Sequence, residues 1–223
     1  MFLGTVLVII SAFRVADYQA DLITTNRYYN EIREEVVGRD KQPVTKDTSL
    51  ASWFKKLEAM NKDFVGWISD GNYIDYPVVS SNSDYYSNHS FNKNSSVCGC
   101  LYTGNETLDE DCTIVYGNNV EDGSMFGKLD EYTLGTRVTL YTLIQQRQYE
   151  VKAICKCSNN TLDYAGYAGP LTKTDYKKLA KDFSEYLLQG SLNFSHKNKV
   201  LILSASEYTE ESEGLVVILE ELK

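Results

Sequence analysis

The stretch Thr113-Ile114-Val115-Tyr116-Gly117-Asn118-Asn119-Val120 runs four strand-forming residues into a glycine and two neighbouring carboxamides. β-Branched and aromatic side chains at 113–116 favour a pleated, half-buried strand, and the Gly-Asn-Asn sequence ends it. A second turn signal, Glu121-Asp122-Gly123-Ser124-Met125-Phe126-Gly127, follows at once. A strand cut off so abruptly delivers its last residues to a rim or a pocket. The stretch therefore bears on the fold class, and it marks the first place to look for chemistry.

Working outward, the same kind of run recurs: FVGWIS at 64–69, NYIDYPVVS at 72–80, GCLYTG at 99–104, RVTLYTL at 137–143, QYEVKAICKC at 148–157, KVLILSAS at 199–206 and GLVVILEEL at 214–222. Clusters of Gly, Asn, Asp and Ser separate them. With CTIVYG at 112–117 there are eight runs, which predicts a closed or nearly closed, antiparallel-rich barrel. One helix interrupts the strands: TKTDYKKLAKDFSEYLLQG places Tyr176, Leu179, Phe183, Tyr186 and Leu187 at helical spacing, starts near Thr172 or Thr174 and ends at Gly190. Upstream, residues 14–60 read as a helical appendage. One helix runs to Val37 with Leu22, Tyr29, Ile32 and Val36 along one side. After a polar break holding Pro43, a second helix follows a cap signal at Asp47, Thr48 and Ser49. The expected division is thus 1–13, 14–60 and a barrel domain from 61 to 223.

The apolar run at 1–13 is shorter than the ~20 residues that span a bilayer and lacks the flanks of a cleaved secretory signal; it is read as a short or truncated membrane anchor, with a buried N-terminal helix and an atypical cleaved signal as the alternatives. At 223 residues, 43% hydrophobic and 24% charged, the chain is long enough to bury a core without staples. Seventeen tyrosines favour a strand-rich body. A formal net charge of -9, with no long Lys/Arg cluster, argues against nucleic acid as a partner. Five cysteines, Cys98, Cys100, Cys112, Cys155 and Cys157, leave at least one thiol unpaired within a monomer. Their C-x-C spacing puts each pair on one strand face and does not match the C-x₂₋₄-C turns of structural zinc. They read most simply as small buried hydrophobes, with a cross-strand disulfide as the alternative and a metal site less favoured.

The ordered set DFVGWI, IDYPVV, DYYSNHSFN, TIVYGNNVEDGSMFGKL, LILSAS and GLVVI, with a helix inserted before the penultimate strand, resembles the class B sortases. The resemblance covers about Asp63 to Leu222 and implies a mainly β, eight-stranded sortase barrel with N-terminal helices. It also implies a membrane-anchored cysteine transpeptidase of Gram-positive-type bacteria that needs no cofactor. Such enzymes cleave a sorting signal near the C-terminus of a surface protein and pass its acyl group to an amine of the cell wall or a pilin. The chemistry needs a thiolate nucleophile, a histidine acid–base and an arginine for the oxyanion or the substrate.

By the same resemblance, the histidine frame reads Tyr116-Gly117-Asn118-Asn119, the cysteine frame Leu203-Ser204-Ala205-Ser206, and the arginine position ahead of Leu215-Val216-Val217 is Gly214. Each is substituted. A carboxamide shuttles no proton near neutral pH, a serine hydroxyl without a base is a poor nucleophile, and glycine brings no cation. His89 and His196 lie outside the strand-end frames. Scaffold positions such as Trp67, Pro77, Met125, Phe126 and Gly127 are retained. The expected function is therefore a catalytically inactive pseudo-sortase at the extracellular face of the membrane. It would bind a sorting-signal-like peptide, a surface protein or pilin, or an active sortase, in a groove drawing on Tyr116, Asn119, Ser204, Ala205 and Ser80. Two alternatives stand beside it: a transpeptidase or hydrolase running on a relocated thiol such as Cys157, and a purely structural surface module.

Overall fold

The computed structural model describes residues 2–37, 49–104, 107–157, 161–206 and 214–222. Its first element, helix α1, spans Phe2–Glu31 and continues as a π-helical turn over Ile32–Val37. The apolar run and the amphipathic stretch expected after it thus form one continuous helix. Among the described residues, no helix is long and apolar enough to cross a membrane. Leu22, Tyr29 and Ile32, predicted to share a face with Val36, are buried, and Thr25 joins them at the same spacing; the side chain of Val36 lies outside those described. Helix α2 covers Ser49–Met60 and sinks Phe54 and Leu57 into the core; the Asp47 and Thr48 of the cap signal, and the break holding Pro43, lie outside the described residues.

Among the described residues nine strands follow: β1 Phe64–Ser69, β2 Asp75–Ser80, β3 Leu101–Thr103, β4 Cys112–Asn118, β5 Arg137–Tyr141, β6 Gln146–Lys156, β7 Leu187–Gly190, β8 Val200–Ser206 and β9 Leu215–Glu221. They pair in the order β5-β1-β2-β3-β4-β8-β9-β6-β7, and β5 also pairs with β6. That extra pairing closes eight strands into a barrel and leaves β7 as an added edge on β6. The β2–β3 and β4–β8 pairs are parallel and every other pair is antiparallel. The eight expected runs all become barrel strands.

The inserted helix α3 spans Lys173–Phe183 and starts on a capping box between Thr172 and Asp175. It ends seven residues before the expected Gly190. A 3₁₀ turn, Ser184–Tyr186, leads into β7, which pairs Leu187 with Cys155 and Gly190 with Ala153. Leu187 fits a helical stripe and a strand equally well, and tertiary pairing decides between them. Gly190 takes a φ of 95° with no room for a side chain: a Cβ there would lie 2.1 Å from the Lys152 carbonyl oxygen. It terminates a strand, where the sequence reads as a helix cap.

Two cores result from strand alternation. Leu201, Leu203 and Ala205 of β8 point into the barrel with Val115, Val217 and Leu219. Val200 and Ile202 point out, with Cys112, Ile114, Val216 and Ile218, and are roofed by Tyr176, Leu179 and Phe183 of α3. Burial on both faces explains why β8 and β9 read as near-continuous apolar runs. Leu179 is fully buried in this second core. Leu179→Ala is expected to cost about 2–5 kcal/mol, seen in urea unfolding as a lowered midpoint at unchanged slope.

Candidate functional site at the ends of β4 and β8

Strands β4 and β8 run parallel and in step, from Cys112 beside Val200 to Asn118 beside Ser206. The two strand ends singled out in the sequence therefore finish at the same level as direct neighbours, although more than eighty residues separate them along the chain. Ile114 and Tyr116 alternate toward the α3 side of the sheet, and Asn118 follows them.

The carboxamide of Asn118 is engaged. Its Nδ2 donates to the Ser87 carbonyl at 2.6 Å and to the Val97 carbonyl at 3.2 Å, while its backbone carbonyl accepts from Phe126 N–H at 3.0 Å. One amide group supplies two donors; a neutral imidazole supplies one. The first of the two neighbouring carboxamides thus clasps the segment 87–97 to the end of β4. The turn beyond it is held by an Asn119–Met125 bridge and by Ser124 Oγ donating to Asp122 Oδ1 at 2.7 Å.

Gly214, immediately before β9, is buried, and its carbonyl accepts from Cys157 N–H at 3.0 Å. A Cβ at this position would sit 2.2 Å from the Ala205 carbonyl oxygen. The backbones of β8 and β9 approach so closely here that only glycine fits without a shift.

At the rim, Asn119, Phe126, Leu129, Asp130, Lys156, Ala205 and Leu215 line a cleft of about 250 Å³. Its floor is apolar and its edges carry one cation and one carboxylate. The other groove candidates lie elsewhere. Tyr116 is half-buried and stacks on Tyr102, with ring centroids 5.4 Å apart. Ser204 is buried, its hydroxyl 2.8 Å from that of Tyr164. Ser80 is two strands away from β4, paired with Thr103, and donates to the Gly104 carbonyl at 2.6 Å. Asn119 and Ala205 are thus brought together at the cleft, Tyr116 and Ser204 lie on the opposite sheet face, and Ser80 is apart from both.

Burial pushes the phenols of Tyr102 and Tyr164 up to about 12. His89 stacks on Tyr85 at 3.9 Å, with Nδ1 2.8 Å from the Tyr85 carbonyl oxygen. His196 precedes β8 at the end opposite Ser206, a strand length of roughly 20 Å away. All five cysteines are buried, and no disulfide links them. Cys157 is 1% exposed beneath α3, out of reach of a substrate. Burial raises the thiols of Cys98 to about 11 and of Cys100 and Cys155 to about 12, the reverse of what an activated thiolate needs. Among the described residues, no three His, Cys, Asp or Glu side chains are grouped to hold a metal ion.

Sequence reasoning missed Ser87, Val97 and Tyr164, which sit on loops and turns. The first two act through backbone carbonyls and leave no side-chain signature. Lys156 and Leu215 fell inside runs recognised as strands, where only the closed barrel shows that they meet at the rim.

A closed eight-stranded barrel with parallel β2–β3 and β4–β8 pairs, and a helix packed outside β8 and β9, is the sortase fold. No family model matches the chain. It is nevertheless 28% identical to sortase B of Listeria monocytogenes over 241 residues, covering 97% of this chain and 95% of that protein. Sortase B of Clostridium perfringens superposes with a TM-score of 0.66 at 25% identity, over 76% of this chain and 99% of that one. Sortase B of Bacillus anthracis, solved in complex with AAEK1, gives a TM-score of 0.74 at 22% identity, over 92% and 99% of the two chains. Within that fold, the chain is a homologue of the class B sortases.

Proposed function

We propose that this chain is a pseudo-sortase: a class B sortase-like protein, held at the extracellular face of the cell membrane through its N-terminal apolar run, that binds a sorting-signal-like peptide without cleaving it. The peptide belongs to a surface protein, a pilin or a segment presented with an active sortase. One observation carries the reading. At the paired ends of β4 and β8, where the family resemblance puts the acid–base and the nucleophile, stand a carboxamide committed to two backbone carbonyls and a serine. Neither supplies the proton transfer that acyl transfer requires.

The rim cleft supports binding in preference to a closed, purely structural barrel. Its volume of about 250 Å³ falls just below the ~300 Å³ lower bound of small-molecule pockets, which suits one anchored side chain of an extended peptide better than a whole ligand. The burial of Cys157 speaks against the relocated-thiol enzyme.

The test uses the full chain with fluorogenic sorting-signal-like peptides, an amine acceptor and, in parallel, calorimetric titration of the same peptides. Saturable binding with no release of fluorophore is the expected result. Turnover by the native chain would sink the inactive reading; absence of any binding across a peptide panel would leave the structural module as the better account.

A further inference from the structure

We propose that α1 is a working part of the candidate site: acting through Val97, Asp21 positions the carboxamide of Asn118, so that the seating of α1 sets the shape of the β4–β8 strand ends. The peptide-binding reading above gives this positioning its purpose, but the positioning can be measured without a peptide.

Three residues of α1, one turn apart, grip a single segment of the barrel domain. Asp21 Oδ2 accepts from Val97 N–H at 2.6 Å. Thr25 Oγ1 lies 2.9 Å from Ser96 Oγ, both side chains buried. Tyr29 OH donates to the Gly99 carbonyl at 2.8 Å and accepts from Phe91 N–H at 3.1 Å. Spacing of four residues keeps all three on one helix face. The gripped segment also carries the two carbonyls that take the hydrogens of Asn118. Val97 is the hinge of the arrangement: its N–H is held by α1 and its C=O by β4. The two groups lie in adjacent peptide planes joined at the Val97 Cα: Asp21 fixes the first, and Cys98 N–H, which shares the second plane with the Val97 carbonyl, donates at 3.1 Å to the Ser96 Oγ that Thr25 meets, so α1 restrains where that carbonyl is offered.

Helix α1 also reaches the far side of the same strand end. Asn26 Nδ2 donates to Asp122 Oδ2 at 2.5 Å, in the turn that follows β4. The helix therefore touches both the loop that Asn118 clasps and the turn that Asn118 begins.

The experiment is ¹⁵N NMR on the full chain, following the side-chain amide resonances of Asn118, assigned by their loss in Asn118→Asp. In Asp21→Ala these resonances are expected to shift and their hydrogen exchange to rise about tenfold, the effect of one lost hydrogen bond. Asp21→Asn, whose Oδ1 can accept the same N–H, is expected to restore both. Thr25→Val, which removes a buried hydroxyl at nearly constant volume, is expected to move the resonances in the same direction by less. Arg27→Ala removes an exposed pair with Glu31 and is expected to leave them in place. A folded Asp21→Ala whose Asn118 resonances stay where the native chain has them overturns the proposal. Should Asp21→Ala fail to fold, unmoved resonances in Thr25→Val overturn it equally. Where the native chain binds peptide, Asp21→Ala is expected to weaken binding about tenfold, with rescue by Asp21→Asn. A native chain that binds no peptide removes the proposed function and leaves the NMR comparison to decide the positioning on its own.

Discussion

Carrying Asn118→His together with Ser206→Cys, the full chain is expected to cleave a sorting-signal-like peptide that the native chain leaves intact. The parallel register already sets positions 118 and 206 side by side, so the fold supplies proximity without rearrangement. What the native pair lacks is a group that titrates near neutral pH and a nucleophile that ionises beside it. Restoring the acid–base contributes about 10²–10⁴ to the rate. The two changes act as a unit, so neither alone is expected to produce turnover above background. The histidine also has a structural cost: a neutral ring gives one hydrogen where the carboxamide gives two, leaving one of the Ser87 and Val97 carbonyls short of its donor, at about 1–3 kcal/mol. Thermal unfolding should therefore show a less stable variant that is nonetheless active. A folded double variant that stays silent would mean that the strand ends were never arranged for acyl transfer.

The second large effect is a loss of stability. Gly214→Arg, the change that would complete a set of three, is expected to disrupt the β8–β9 junction. A Cβ 2.2 Å from the Ala205 carbonyl oxygen is far inside contact distance, and the obstacle is backbone, which cannot swing aside as a side chain would. The main chain must separate, straining the hydrogen bond from Cys157 N–H to the Gly214 carbonyl. A penalty above about 3 kcal/mol is expected, in the range of severe steric substitutions. Gly214→Ala, which adds the Cβ alone, should reproduce most of it. Chemical denaturation of the two variants beside the native chain checks this; an Ala variant within 0.5 kcal/mol of native, on the scale of a neutral surface change, would show that the junction yields. Position 214 is thus held by sterics as well as by any loss of function, and a restored site is better sought without it.

Much of this was legible in the chain. Val200-Leu201-Ile202-Leu203 is apolar without interruption because the barrel interior covers one face and α3 the other. Leu22, Tyr29 and Ile32 fell where expected because a helical stripe is a local signal. The boundary between α3 and β7 was not legible, since Leu187 suits both periodicities and only pairing with Cys155 decides. The parallel step between β4 and β8 is a long-range fact with no local trace. The purpose of Asn118 was half legible: the amide was conspicuous at a strand end, but its partners are carbonyls, which every residue carries. Ser80 and Ser204 looked like groove residues by sequence neighbourhood, yet each already spends its hydroxyl inside the protein.

The pairing of Cys112 with Val200, and of each residue up to Asn118 with its counterpart, has a kinetic consequence. Closing so long a loop is slow relative to forming the local β1–β2 and β5–β6 hairpins, because its entropy is lost before any contact returns it. The strand ends at 118 and 206 should therefore be assembled late, after the hairpins and α3 have formed. A nascent or secreted chain that has not finished folding would display the hairpins, the helix and most of the apolar surface, and still have no site at all.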